Sequence, residues 1–256
     1  MLAFWPDVIR PLFHALLPTT IVEIGSESGK TTRLLLDYAR EHEARVHAID
    51  PAPRFDPESW RQSYGDAFVM HRLPSLVALP TLDLFDVVLV DGDHNWFTVY
   101  HELLLIEQRS AEIGQPFPLV FLHDVGWPYG RRDLYYDPDA IPEEYRQAWA
   151  RRGISPTSNV LLPTGGFNAH LCNAVHEGGP RNGVLTAVED FRAQSKTRLA
   201  LARIPAVFGL GILLPEPLAK EKPEVARRVG AWMIPDIERF IDRLEMARIA
   251  MLSQAV

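Results

Sequence analysis

The chain has 256 residues, of which 47% are apolar and 23% charged, with a formal net charge of -7. That is length and apolar content for one large domain with a sizeable core. The acidic balance excludes general nucleic-acid binding, which needs a lysine and arginine excess to neutralise phosphates. The single cysteine, Cys172, excludes an internal disulfide framework and suits a reducing compartment. No apolar run approaches the roughly 18 residues of a membrane span, and the N-terminal segment does not read as a signal peptide. The expected location is the cytoplasm.

Predicted elements alternate in type along the chain. Apolar positions at helical spacing in "FWPDVIRPLFHALL" are followed by the β-branched run "TIVEIG" and the amphipathic "GKTTRLLLDYAREHE", which together read as helix, strand, turn and helix. The pattern repeats with "RVHAID" as a strand, "PESWRQSYG" as a short helix, "FVMHRLP" as a strand and "PSLVALPTL" as a connection. Next come the strand "FDVVLV", a helix from about Asn95 to Glu107, and the strand "FPLVFLHD". Near-continuous apolar strands that alternate with helices predict a doubly wound, Rossmann-like α/β fold, because each crossover helix covers one face of a mostly parallel sheet. Residues 125–183 change character, rich in Pro, Gly, Tyr, Arg and Asn, with a helical candidate from about Pro142 to Arg152. So long an aromatic insertion predicts a lid or substrate loop. "GVLTAVEDFRAQ" then reads as a helix, "RLALARI" and "VFGLGILLP" as an antiparallel hairpin at a sheet edge, and the rest as helix interrupted near Pro235. The expected layout is a single domain: an N-terminal helix over 1–18, a ligand-binding core over 19–124, the lid over 125–183, the last helix and hairpin over 184–214, and a helical segment over 215–256.

The candidate chemistry lies at the carboxyl ends of the strands, where doubly wound sheets bind ligands. "VEIGSESGKTT" places Glu23, Gly25 and Gly29 at the first strand-to-helix turn, where glycine lets a backbone approach a ligand. The run is one residue too short between its glycines for a Walker loop, and it is not GxGxxG. The second strand ends in Asp50, 25 residues after Gly25, near the position where an acid takes ribose hydroxyls. Asp91, Asp93 and His94 end the fourth strand, and His123 with Asp124 the fifth. Adjacent strands lie about 4.8 Å apart, so these groups can converge on one ion. Mostly oxygen donors suit a hard divalent cation, magnesium or manganese. His94 beside them is a candidate general base.

"VEIGSESGKTT", "HAID", "FDVVLVDGDHNW" and "FLHDV" together resemble the class I S-adenosylmethionine-dependent methyltransferases. They are most similar to the metal-dependent sugar and natural-product O-methyltransferases related to macrocin O-methyltransferase and the cephalosporin-hydroxylase-like proteins. The resemblance covers about residues 18–125. It implies that Glu23, Gly25, Ser26 and Gly29 hold the methionine portion of S-adenosyl-L-methionine, Asp50 the ribose, and Ser75 and Leu76 the adenine side. It implies Asp91 and Asp124 as ligands of a divalent metal, with His123 where relatives often carry a carboxylate or amide; either His123 or Asp93 then completes the set. His94 falls at the catalytic base. The implied reaction is methyl transfer to a hydroxyl of a sugar or saccharide-containing metabolite, a small molecule or an oligosaccharide. Candidate substrate contacts are Asp93, Trp127, Tyr129, His170, His176 and Asn182.

Three other readings compete. His94, His123 and a carboxylate also suit the facial triad of an iron-dependent hydroxylase; the acceptor could instead be a small aromatic hydroxyl; or the chain is a non-catalytic scaffold. The apolar stripe of "IERFIDRLEMARIAML" predicts a homodimer through the C-terminal helix. Arg131 and Arg132 form a basic pair able to meet an anionic substrate.

Overall fold

A computed structural model of the protein describes residues 1–83 and 85–254. Its main sheet has seven strands: β1 (Thr20–Ile24), β2 (Arg45–Ile49), β3 (Phe68–His71), β4 (Val87–Val90), β5 (Leu119–His123), β9 (Leu199–Ile204) and β10 (Leu210–Pro215). They lie in the order β3-β2-β1-β4-β5-β10-β9. The first five are mutually parallel, and β10 runs antiparallel to both β5 and β9. The expected fold and edge hairpin are therefore present.

The sheet is buried on both faces, and the side-chain alternation of β4 shows how. Val87 and Leu89 enter a core shared with α1 (Arg10–Leu16) and α2 (Lys30–His42), through Leu12, Phe13, Leu35 and Leu36. Val88 and Val90 enter the opposite core with α5 (Trp96–Glu112) and α6 (Val184–Gln194), through Leu103, Ile106, Val188 and Phe191. A strand that feeds two cores has no polar position to spare, which explains the unbroken "VVLV". α3 (Pro57–Tyr64) begins at Asp56, whose side chain accepts from the Glu58 amide, and α4 (Ser75–Ala78) is a single turn after β3. α5 continues five residues past the expected Glu107, because Ser110 stays buried on the same face and the helix stops only before Gly114, at φ 71°.

Residues 125–183, the expected lid, form an ordered segment with its own three-stranded sheet, β6 (Leu134–Tyr135), β7 (Trp149–Arg151) and β8 (Cys172–Ala174), in the order β6-β8-β7. The helix expected from Pro142 to Arg152 does not form. That stretch holds one 3-10 turn, Glu143–Tyr145, and then β7, whose Trp149 pairs with Ala174 of β8. Its apolar spacing suits a helix locally, but pairing with β8 supplies hydrogen bonds and a partner surface that a lone short helix lacks.

Asp133 ties the lid to the core. Its fully buried carboxylate accepts from the amides of Trp96 (2.7 Å) and Gly183 (2.6 Å) and from the Tyr135 hydroxyl (2.8 Å). Asn182 in turn accepts from the Asp133 amide at 2.7 Å. One side chain thereby joins the start of α5, the start of α6 and β6. After β10 the chain closes with α7 (Glu216–Glu221), α8 (Pro223–Gly230) and α9 (Pro235–Gln254). Among the described residues no helix is long and apolar enough to cross a membrane.

Candidate active site

Strand register builds the site. Ile24 of β1 is level with Ile49 of β2 and Val90 of β4, and Val90 is level with Leu122 of β5. The next residue on each strand is therefore Asp50, Gly25, Asp91 or His123, four groups abreast along one edge of the sheet. They open on a cavity of about 890 Å³, toward the upper end of the range for small-molecule sites.

Gly25 is required at its position. It has φ 86°, and a Cβ there would collide with the Asp91 carbonyl, so β1 can turn under β4 only without a side chain. The following loop is held from below by Asp50. Its carboxylate accepts from the Glu27 amide (2.8 Å), the Ala52 amide (2.8 Å) and the Ser26 hydroxyl (3.3 Å). Glu23 is buried behind this turn and accepts from Thr32 at 2.6 Å. Burial pushes its carboxyl up to about 8, against the lowering effect of the Thr32 bond.

Three donor atoms meet beyond β4 and β5. His123 Nδ1 lies 2.7 Å from Asp124 Oδ2 and 3.2 Å from Asp91 Oδ1, and one donor from each of the three residues falls within 4.8 Å of the others. Burial opposes a charge on His123, but Asp124 and Asp91 outweigh it and push its pKa up to about 10. Burial likewise opposes ionisation of Asp91, yet His123, the Met1 amine and His94 hold its carboxyl well below the usual range. Asp124 is lowered too, by His94 and His123 against its own burial. Asp124 sits at φ 59°, a left-handed conformation more costly than a strand extension, which directs it back toward Asp91 and His123. The Met1 amine donates to Asp91 Oδ2 at 2.9 Å, so this carboxylate already accepts a cation. Two carboxylates and an imidazole at this spacing fit one divalent metal.

His94 is fixed by its backbone rather than its ring. Its carbonyl accepts from the Leu134 amide at 3.0 Å, which makes the lid part of the same wall, and Asn95 caps α5 by accepting from the Thr98 amide at 2.8 Å. The ring presents Nε2 3.5 Å from Asp124 Oδ2, while Nδ1 is buried without a partner among the described residues. Tyr129 and Tyr136 flank it at 5.6 and 5.8 Å between ring centroids. Asp93 turns away and accepts from Thr98 Oγ1 at 3.1 Å; burial raises its pKa.

Of the residues singled out in the sequence, Gly25, Ser26, Asp50, Ser75, Leu76, Asp91, Asp93, His94, His123, Asp124 and Tyr129 line the cavity, whereas Glu23 and Gly29 stand just behind its wall. Trp127, His170, His176 and Asn182 do not line it. Trp127 packs on Phe167 inside the lid, His170 and His176 are exposed, and Asn182 bonds to Asp133 and to the carbonyls of His176 and Gly178. The basic pair is also spent within the fold. Arg131 is bidentate to Glu189, and buried Arg132 donates to the carbonyls of Ala174 and Asn159. The sequence reading missed Thr98, Glu102, Tyr136, Phe167, Asn168 and Phe208 on the cavity wall. Helical spacing from His94 could have found Thr98 and Glu102, but nothing local marks Phe208, which arrives from the distant β9–β10 turn.

Residues 22–125 match the family of methyltransferase domains, a segment that holds the whole row of strand-end groups. No curated protein matches the chain in sequence. Among solved structures, the S-adenosylhomocysteine-bound methyltransferase PaMTH1 of Podospora anserina has a TM-score of 0.51 at 16% identity, over 81% of this chain and 76% of its own. The 1,6-didemethyltoxoflavin-N1-methyltransferase of Burkholderia thailandensis, with S-adenosylhomocysteine and 1,6-didemethyltoxoflavin bound, has a TM-score of 0.43 at 16% identity, over 82% of this chain and 79% of its own. The first shares the fold. The match of residues 22–125 to methyltransferase domains, on a sheet of this fold, supports a transferase enzyme.

The buried acids set the pH dependence of the metal-free protein. Glu23 and Glu102 both rise from 4.5 to about 8, with burial as the main cause, so the folded state binds more protons than the unfolded state between those values. Stability falls as pH rises through that window, and the raised His123 adds to the fall above about 6.5. Asp91 and Asp124, both lowered, contribute stability above about 4 that is lost on acidification. Thermal unfolding is expected to show Tm declining from pH 6 to 8.5, with a shallower decline in Glu23→Gln; a Tm that climbs over that range contradicts the assignment.

Proposed function

We propose that the protein is a divalent-metal-assisted O-methyltransferase that uses S-adenosyl-L-methionine and acts on a hydroxyl of a sugar or saccharide-containing metabolite. The observation that carries this reading is the meeting of Asp91, His123 and Asp124 donors within 4.8 Å, one step along the sheet edge from Gly25 and beside His94. In this reading Gly25, Ser26 and Gly29 form the turn that receives the amino-acid end of the cofactor, Asp50 takes the ribose hydroxyls, and Ser75 with Leu76 borders the adenine. S-Adenosylmethionine supplies an electrophilic methyl group when bound. Asp91, His123 and Asp124 would hold magnesium or manganese, whose charge lowers the pKa of a coordinated hydroxyl.

The chain's own residues do the rest. In this reading His94, whose Nε2 lies 3.5 Å from Asp124 Oδ2, takes the acceptor proton. The aromatic faces of Tyr129, Tyr136, Phe167 and Phe208, with Asn168 and Asp137 between them, suit a ring that is apolar on its faces and hydroxylated at its rim. With Arg131 and Arg132 engaged inside the lid, the acceptor side offers carboxylates and aromatics, which favours a neutral acceptor over an anionic one. Orientation and charge placement are the main sources of rate in such an arrangement.

Transfer of labelled methyl groups from S-adenosylmethionine to a panel of sugars, glycosides and small catechols tests this. The expected result is label in a saccharide-containing acceptor, loss of turnover with EDTA, restoration by magnesium or manganese, and a kcat reduced about 10²- to 10⁴-fold in His94→Ala. Transfer that is indifferent to EDTA and to Asp91→Ala would remove the metal from the reading, and label confined to catechols would remove the saccharide.

The C-terminal helix supports a homodimer in the same proposal. Ile237, Phe240, Leu244 and Met251 are all exposed on α9, at the three- and four-residue steps of a coiled-coil seam. Light scattering at micromolar concentration is expected to give twice the chain mass, and Leu244→Glu the mass of one chain. A wild-type monomer contradicts it.

A further inference from the structure

Phe208 reaches the cavity on a turn that its sequence does not favour. Between β9 and β10 the Gly209 amide donates to the Ala206 carbonyl at 2.8 Å, and the two residues enclosed, Val207 and Phe208, have φ of 48° and 68°. Glycine, asparagine and aspartate usually fill such central positions, and a β-branched valine is an outlier there. Strain of this kind persists only where the surroundings impose it, and it concentrates at functional sites.

The turn is held from two sides. Toward the site, the Gly126 amide, two residues beyond Asp124, donates to the Phe208 carbonyl at 2.7 Å, and the Phe208 ring packs on Phe167 with 5.9 Å between centroids. On the other side stands α9. The buried Glu245 carboxylate accepts from the Phe208 amide at 2.9 Å. Arg248 grips that carboxylate at 2.6 and 2.7 Å and sets its guanidinium 5.1 Å from the centre of the Phe208 ring. Burial opposes ionisation of Glu245, but Arg248 and the amides of Phe208 and Val207 hold its carboxyl below the usual range. Anchoring α9 would need no buried charge, since an apolar pair of similar volume does that without desolvation, and Arg203 of β9 already pairs with Glu238 nearer the start of the helix. We infer that Glu245 and Arg248 are positioning residues for the methyl acceptor, acting through Phe208, whose ring they hold in the cavity wall beside the Asp124 loop. This rests on the reading that the cavity takes an acceptor there. It makes α9, which lies outside the matched residues 22–125, part of acceptor selection, because a wall already fixed in one orientation costs less to bind against than one that must be ordered.

The test uses the full chain and the same panel of sugars, glycosides and small catechols. For each compound that wild type labels, kcat and KM are measured, and S-adenosylhomocysteine affinity is followed by calorimetric titration. Glu245→Leu, which removes the oxygen that receives the Phe208 amide and the partner of Arg248, is expected to raise the KM of the labelled compound about tenfold, the order of one displaced aromatic contact, with kcat and S-adenosylhomocysteine affinity within about twofold. Phe208→Leu is expected to raise KM by as much, and the double variant no further, because the two act as one unit. Glu245→Gln keeps an oxygen for the amide and is expected to recover most of the loss. A helix that only added stability would lower the active fraction, and so kcat, with KM unmoved. An unmoved KM in Glu245→Leu, effects that multiply in the double variant, or a loss of S-adenosylhomocysteine affinity equal to the rise in KM overturns the inference. Wild type that labels no member of the panel overturns the functional reading, and this inference with it. Should Glu245→Leu not fold, Arg248→Ala takes its place, with the same rise expected and the same outcomes decisive.

Discussion

The register of four parallel strands is the constraint on which the rest of the structure depends. With Ile49, Ile24, Val90 and Leu122 level across β2, β1, β4 and β5, the next residue along each chain must share one edge, and those residues are Asp50, Gly25, Asp91 and His123. A slip of one residue in any pairing would exchange the faces of that strand. It would drive Val88 or Leu89 into the wrong core and withdraw a carboxylate from the edge. The burial of both sheet faces and the assembly of the site are therefore one requirement met by the same apolar side chains.

The same edge explains why so much ionisable chemistry tolerates so little water. Asp91, His123 and Asp124 counterbalance one another, with His123 pushed up and both carboxylates held down. No such balance exists for Glu23 or Glu102, each of which burial raises to about 8. Glu23 has Thr32 as a local partner, while half of Glu102 is unmatched. The cavity wall thus contains one mutually compensating cluster and one acid with an unmatched oxygen.

Much of this was legible in the sequence, and the physical reason is locality. β1, β2, β4 and β5 are apolar runs that stop at an acid, a glycine or a histidine, so strand and strand end are marked within a few residues of each other. The parallel order follows from the intervening helices. The lid was not legible, because its stability is non-local. Asp133 reaches Trp96 and Gly183, 37 and 50 residues away, and β7 exists only because β8 pairs with it. For the same reason His170, His176 and Asn182 look like substrate ligands in sequence, although two are exposed and the third is a strut. Glu102 was hidden differently: its four-residue steps from His94 and Thr98 are the one local hint, and its burial is what sets it apart from the other acids of the helix.

If the strand-end row is a cofactor site closed under the Gly25 turn, S-adenosylhomocysteine must distinguish wild type from Gly25→Val. Isothermal titration should give one site per chain in wild type and none in Gly25→Val, with the circular dichroism of the two proteins alike. Wild type that takes up no ligand, or a Gly25→Val protein that binds as wild type does, would contradict it.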